Sequence, residues 1–367
     1  SSRSRRTSIG DVPSEANMTD IFNVLSPGAC TTVQDLGRFG WQPFGVPPSG
    51  MLDDFAGRVA NMLVGNPDSA ALLELTFSGP TLKILAPATI ALTGADMPFS
   101  INGVPAAGWC ALRVQPGDTV TVGMARSGCR GYLAVSQGID VPLVMGSRSC
   151  YVGAAIGGFK GRPLQAGDRL RRGPGEADDL ARRVPVERVP AYPSEITLRA
   201  IPGPQDDFFD HGLNVFFNAS FTVSPQADRM GCRLQGPVIS QIEAMPRSII
   251  SEPSLPGGVQ IPQDGQPIIL LSEQTVGGYT KIATVISSDI PRVAQALPGD
   301  CIRFERIDID AAHALYRHQA SLLEQIRYET ELPATEQRFR RDIPDPAAVD
   351  WDSPVVVDKL IHCLYQT

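Results

Sequence analysis

LPGDCIRF, residues 297–304, has two counterparts upstream, QPGDTVTV at 115–122 and QAGDRLRR at 165–172. In each, a Gly-Asp step leads straight into a run of strand-forming residues. The pattern predicts a tight turn feeding a strand. Gly takes a positive φ that side chains disfavour, and Asp bonds the turn's own backbone. Twice the element follows a Gly-Gly-aromatic stretch, GGFKG at 157–161 and GGYTK at 277–281. That correspondence predicts two related β units in tandem.

Further segments carry the same signature. TLKILAPATIALTG (81–94), GYLAVS (131–136), EITLRAI (195–201), FTVS (221–224) and IILLS (268–272) are rich in β-branched residues, with Gly, Pro, Asn and Asp between them. Turn signals this frequent indicate sandwiches or barrels rather than βαβ units. Helices are few: DDFAGRVANMLVG (53–65) with Asp53 as N-cap, SSDIPRVAQAL (287–297) with Pro291 in its first turn, and a long amphipathic segment at 308–332. The expected organisation is a disordered leader (1–19), a first β domain (20–190), a charged, Pro-rich linker (172–194), a second β domain (195–308), a C-terminal helix (309–332) and a tail (333–367).

Composition narrows the functional classes. At 367 residues the chain suits two domains of roughly 150 residues each. A net charge of −7 argues against a nucleic-acid surface. No apolar run approaches the ~20 residues of a membrane span. The first residues, SSRSRRTSIGDVPSEANM, lack the apolar core of a secretory signal. The seven cysteines show no CxxC pair, and His313 and His318 lie five apart, on different helix faces. No metal site is expected, and a reducing cytoplasm is the expected compartment.

Two Gly-rich polar ribbons stand out: TVQDLGRFGWQPFGVPPSGMLDD at 32–54 and GGVQIPQDGQPIILLSEQTVGGY at 257–279. Asp35 and Arg38 flank Gly37 in the first, close enough to meet around a turn. Ser147 and Arg148, in VMGSRSCYVGAAIGGFKGRPL (144–164), offer hydroxyl, amide and cation to a carboxylate or phosphate. ADRMGCRLQG (227–236) contributes Arg229, and the second ribbon Gln260, Asp264, Gln266, Gln274, Gly278 and Tyr279. Carboxamides donate and accept, which suits an amide, lactam or ureido group.

Taken together, QDLGRFG…GVPPSGMLDDFA…ANMLVGNP, GSRSCY…GG…GRPLQAGDRL, ADRMGCRL, IPQDGQPIILLSEQTVGGY and QALPGD resemble one family over residues 20–330. It is the KipA family, also called allophanate hydrolase subunit 2, the 5-oxoprolinase C subunit, or the biotin-dependent carboxyltransferase A/B type. The resemblance implies a mainly β fold of two tandem cyclophilin-like β-barrel domains with a few short helices and a C-terminal helix. It implies a heteromeric complex with a KipI-like partner (allophanate hydrolase subunit 1 type) and a third, lactam-handling subunit. The activity implied is ATP-dependent opening of 5-oxoproline. Alternatives are carboxyl transfer from biotin to urea, or a regulatory protein antagonising a KipI-like kinase inhibitor.

Substrate is expected between the two ribbons. Asp35, Arg38, Arg229 and Asp264 are the expected catalytic residues; Ser147, Arg148, Gln260, Gln266, Gln274, Gly278 and Tyr279 would bind substrate. The sequence departs from the family pattern at Glu273, Val276, Cys150 and Gln137. It holds no biotin-carrying Met-Lys-Met context, no ATP-grasp segment and no P-loop. No tightly bound cofactor is expected, and ATP or carboxybiotin would come with the partner subunits.

Overall fold

The structure is a computed structural model that describes residues 18–175 and 181–331. The expected leader and tail therefore fall outside the described residues, except for Met18 and Thr19; Thr19 begins the first strand, Thr19–Ser26. Mainly β architecture is observed throughout, in two units.

The three Gly-Asp turns form as the sequence implies. Gly117, Gly167 and Gly299 have φ of 94°, 87° and 96°. The Asp118, Asp168 and Asp300 carboxylates each accept the amide three residues back, from Gln115, Gln165 and Leu297, at 2.7 Å. Each turn feeds a strand: Thr119–Val122, Arg169–Arg172 and Cys301–Arg306. The last two pair with their unit's first strand. Arg169–Arg172 runs antiparallel to Thr19–Ser26, and Cys301–Arg306 runs parallel to Glu195–Pro202. The correspondence between halves thus extends to this pairing, with its direction reversed.

The first unit divides its strands between a seven-stranded and a five-stranded sheet, whereas the second closes as a seven-stranded barrel. The inward positions of the two sheets supply one core, including Phe22, Leu73, Leu82, Ile90 and Leu133. The barrel is filled by Leu198, Phe216, Phe221, Ile269 and Phe304, with Phe216 and Phe304 stacked at 4.1 Å. Full burial of such side chains contributes about 1.5–3 kcal/mol each.

Four helices decorate the sheets among the described residues: α1 (Asp54–Leu63), α2 (Asp210–Asn218), α3 (Ile290–Gln295) and α4 (Ile309–Glu331). Asp53 caps α1, its carboxylate accepting the Ala56 amide at 2.9 Å. α1 covers Ala91, Tyr132 and Ala134 of the five-stranded sheet, and Leu323 and Ile326 of α4 pack into the same cluster. α2 is not anticipated by the sequence reading. Gly212 weakens its helical signal, while packing of Phe216 in the barrel cluster provides the tertiary support.

The described part of the linker is anchored rather than free. Val184 is 3% exposed and its amide donates to the Trp109 carbonyl at 3.0 Å. No described helix is long and apolar enough to cross a membrane.

Candidate functional site

The two polar ribbons meet at the junction of the units. The Ser49 amide donates to the Ser272 carbonyl at 3.1 Å, and Arg229 Nη2 donates to the Gly50 carbonyl at 2.7 Å. Leu52 of the first ribbon inserts into the barrel's core cluster. Three polar clusters lie along this seam and beside it.

The first is organised by Asp35, 7% exposed. Its carboxylate accepts from Ser147 Oγ at 2.6 Å, Ser149 Oγ at 2.5 Å, the Arg148 amide at 2.6 Å and the Gly37 amide at 2.8 Å. Asp35 and Arg38 do not pair with each other. Arg38 is fully buried, with Nε on the Val144 carbonyl at 3.0 Å and Nη2 on the Ser149 carbonyl at 2.7 Å; Nη1 has no partner. Desolvation lowers its pKa. These bonds tie residues 144–149 to the first ribbon, so Asp35, Arg38 and Ser147 serve as loop architecture here. Arg148 bonds the Val141 carbonyl through Nε at 3.0 Å and reaches Asp140 at 3.6 Å.

The second cluster crosses the junction. Arg229 is held between Glu74 of the first unit and Glu273 of the second, its Nε 2.6 Å from Glu273. Glu74 also accepts from Tyr132 Oη and the Leu52 amide, each at 3.0 Å. The two carboxylates hold the Arg229 pKa above its ordinary value against the cost of burial. Arg229 is therefore a structural tie in this arrangement, with its guanidinium occupied by protein groups.

The third cluster lies where the barrel meets a small flap, strands Glu252–Pro253 and Val276–Gly277. Gln260 is 3% exposed and its Nε2 has no hydrogen-bond partner; Ser254 Oγ, also buried, has none. Lys281 is 7% exposed, and its ammonium meets the Glu252 carboxylate. Any Cβ on Gly277 would lie 2.2 Å from Gln260 Nε2, so glycine leaves this carboxamide its place. The Gly278 carbonyl accepts the Ile249 amide at 2.9 Å, Gln274 Nε2 donates to the Val276 carbonyl at 2.5 Å, and Tyr279 stands 42% exposed nearby in sequence. A buried carboxamide with a free donor beside a buried ammonium is equipped to hold a carbonyl or carboxylate oxygen.

Asp264 and Gln266 stand apart from these groups. Asp264 accepts the Gln266 amide at 3.0 Å, and Gln266 bonds both the amide and the carbonyl of Gly236, at 2.8 and 3.2 Å. They pin one turn to another.

Sequence reasoning passed over Glu74, Lys281 and Ser254, and read Asp53 only as a helix cap. Glu74 is the single acid inside the apolar run ALLELTF (71–77), a signal of a buried, paired charge. Lys281 ends GGYTK, read as turn chemistry alone. Burial pushes the Cys150 thiol up to about 11 and that of Cys232 up to about 12, so both are protonated at neutral pH and poor nucleophiles.

Comparison with known proteins places this geometry in a lineage. The family described as "Carboxyltransferase domain, subdomain A and B" matches residues 44–306. The chain belongs to that family. It is 36% identical to the 5-oxoprolinase C subunit of Escherichia coli (strain K12) over 311 residues, covering 84% of this chain and 98% of that protein. It is 30% identical to urea amidolyase of Saccharomyces cerevisiae, covering 81% of this chain and 17% of that protein. Among solved structures, the Kluyveromyces lactis urea carboxylase superposes with a TM-score of 0.80 at 30% identity, over 86% of this chain and 30% of that one.

Proposed function

We propose that this chain is the C-type subunit of an ATP-dependent 5-oxoprolinase complex, binding the lactam at the barrel mouth beside the flap. The observation that carries the reading is the buried carboxamide of Gln260, with its unused Nε2 facing Gly277. A lactam presents an N–H donor and a C=O acceptor side by side, and a carboxamide complements both. Lys281, which pairs with Gln260 in the barrel's register, supplies a cation for the carboxylate or for negative charge developing on the ring carbonyl. Gln274 and Tyr279 flank the flap strand Val276–Gly277 in sequence.

The alignment over 98% of the Escherichia coli protein supports this reading over the urea enzymes, of which the chain spans a small share. The urea alternative is supported by the family description and by the K. lactis neighbour. In that case the same carboxamide and ammonium would hold urea while a partner presents carboxybiotin. On the 5-oxoproline reading, ATP chemistry involves partner subunits, a KipI-like chain and a third, lactam-handling chain. Reconstitution with those partners, followed by 5-oxoproline-dependent ATP consumption, tests the assignment. Consumption that follows urea and a biotin carrier instead would replace it with the alternative.

A further inference from the structure

Beside Arg38 lies a cavity of about 370 Å³ whose lining includes Val144, Gly157, Phe159, Lys160, Arg169 and Arg171. Val144 and Gly157 connect it to Arg38. The Val144 carbonyl accepts Arg38 Nε at 3.0 Å, and Arg38 Nη2 lies 2.5 Å from the point a Cβ on Gly157 would occupy. Gly157 is therefore the thin part of the wall between the cavity and a fully buried guanidinium whose hydrogen bonds go to carbonyls, not carboxylates.

Three more cations face the space. Arg169 and Arg171 are two apart on one strand and so share a face. Lys160 forms no ion pair among the described residues, and its ammonium sits 5.1 Å over the Phe159 ring. Asp140, itself part of the lining, lies 4.0 Å from Arg171 and 3.6 Å from Arg148, and Asp20 lies 3.6 Å from Arg169. Neither Lys160 nor Arg38 has a carboxylate within 4.0 Å among the described residues; Asp168 and Asp35, respectively, act on them from farther away.

The loop is built for close approach. Gly157, Gly158, Lys160 and Gly161 all have positive φ, between 55° and 68°, which is costly for the lysine. Among the described residues, the amides of Phe159 and Lys160 donate to no carbonyl. Successive free amides in such a turn form an anion-binding concavity.

We infer that this cavity is a phosphate-binding site, recognising a phosphoryl group through Lys160, Arg171, Arg169 and the amides of Phe159 and Lys160. Multiple converging point charges and amides suit a multiply charged tetrahedral oxyanion better than a single carboxylate. The inference does not rest on the choice between lactam and urea, because it concerns binding by this chain alone.

The test is calorimetric titration of the isolated full-length chain with inorganic phosphate, pyrophosphate, ATP and 5-oxoproline, paired with lysine labelling read by mass spectrometry. Pyrophosphate should bind, and Lys160→Ala and Arg171→Ala should each weaken it at least tenfold. In the unaltered chain, pyrophosphate should shield Lys160 from labelling, which keeps the test decisive if a variant misfolds. ATP binding tighter than pyrophosphate marks a nucleotide as the source; equal affinity marks the phosphate group alone. No binding at millimolar pyrophosphate, unchanged affinity in both folded variants, unchanged Lys160 labelling, or shielding by 5-oxoproline alone would each overturn the site.

Discussion

Arg229 of the barrel unit pairs with Glu74 of the first unit across their junction, where Glu74 is 1% exposed. The same guanidinium bonds Glu273 and the Gly50 carbonyl, so one side chain joins both polar ribbons. Removing one member of a buried pair strands the others, at a cost of about 3–5 kcal/mol. Arg229→Ala should therefore lower the melting temperature markedly, whatever it does to activity. A double-mutant cycle with Glu74→Ala should give a coupling of about 1–3 kcal/mol. Additive losses would show that the pair does not couple the units.

Asp53 gives the junction a pH dependence. Its carboxylate, 1% exposed, accepts from Gln295 Nε2 at 2.8 Å, Tyr192 Oη at 3.1 Å and the Ala56 amide. Burial raises its pKa to about 6 from 3.8. The folded state thus holds a proton that the unfolded chain releases between those values. This group's contribution is most favourable below pH ~4 and falls as pH rises through ~6, by up to about 3 kcal/mol. Asp53→Asn, which keeps an acceptor for the Ala56 amide, should flatten chemical-denaturation stability between pH 4 and 7. An unchanged slope would assign the dependence elsewhere.

Arg38→Met tests the architectural role of that side chain. The thioether fills volume but leaves the Val144 and Ser149 carbonyls without their donors. A loss of about 3 kcal/mol or more is expected from denaturant titration. A stable variant with abolished turnover would instead return Arg38 to catalysis.

Gly277→Ala separates site geometry from stability. Its Cβ would meet the movable end of Gln260, so the carboxamide can swing aside with a small change in melting temperature. Binding of substrate should weaken at least tenfold, about 1.4 kcal/mol. A variant with ordinary affinity would remove Gln260 from the proposed pocket.

What the sequence disclosed was local. The three Gly-Asp turns could be read because Gly's φ and Asp's bond to its own turn involve only four residues. The meeting of the ribbons was legible as a pattern, but its agents were not. Glu74 and Arg229 are 155 residues apart, and the cross-junction bond that joins them leaves no mark in spacing. Asp35 and Arg38 invited a pairing by proximity in the chain, yet each found partners more than 100 residues away, in residues 144–149. Gln266 had the right chemistry for a site and was drawn into fastening Gly236, while Asp264 holds the Gln266 amide. Lys281 was hidden by its own motif, since GGYTK explains itself as a turn until the barrel pairs Lys281 with Gln260.

The most direct measurement is 5-oxoproline-dependent ATP consumption by the reconstituted complex, comparing the unaltered chain with Gln260→Ala and Lys281→Ala. The expected result is turnover that depends on 5-oxoproline and drops at least tenfold in each folded variant, about 1.4 kcal/mol in activation free energy. Full turnover in both variants, or none with 5-oxoproline while urea and a biotin carrier support it, would contradict the assignment.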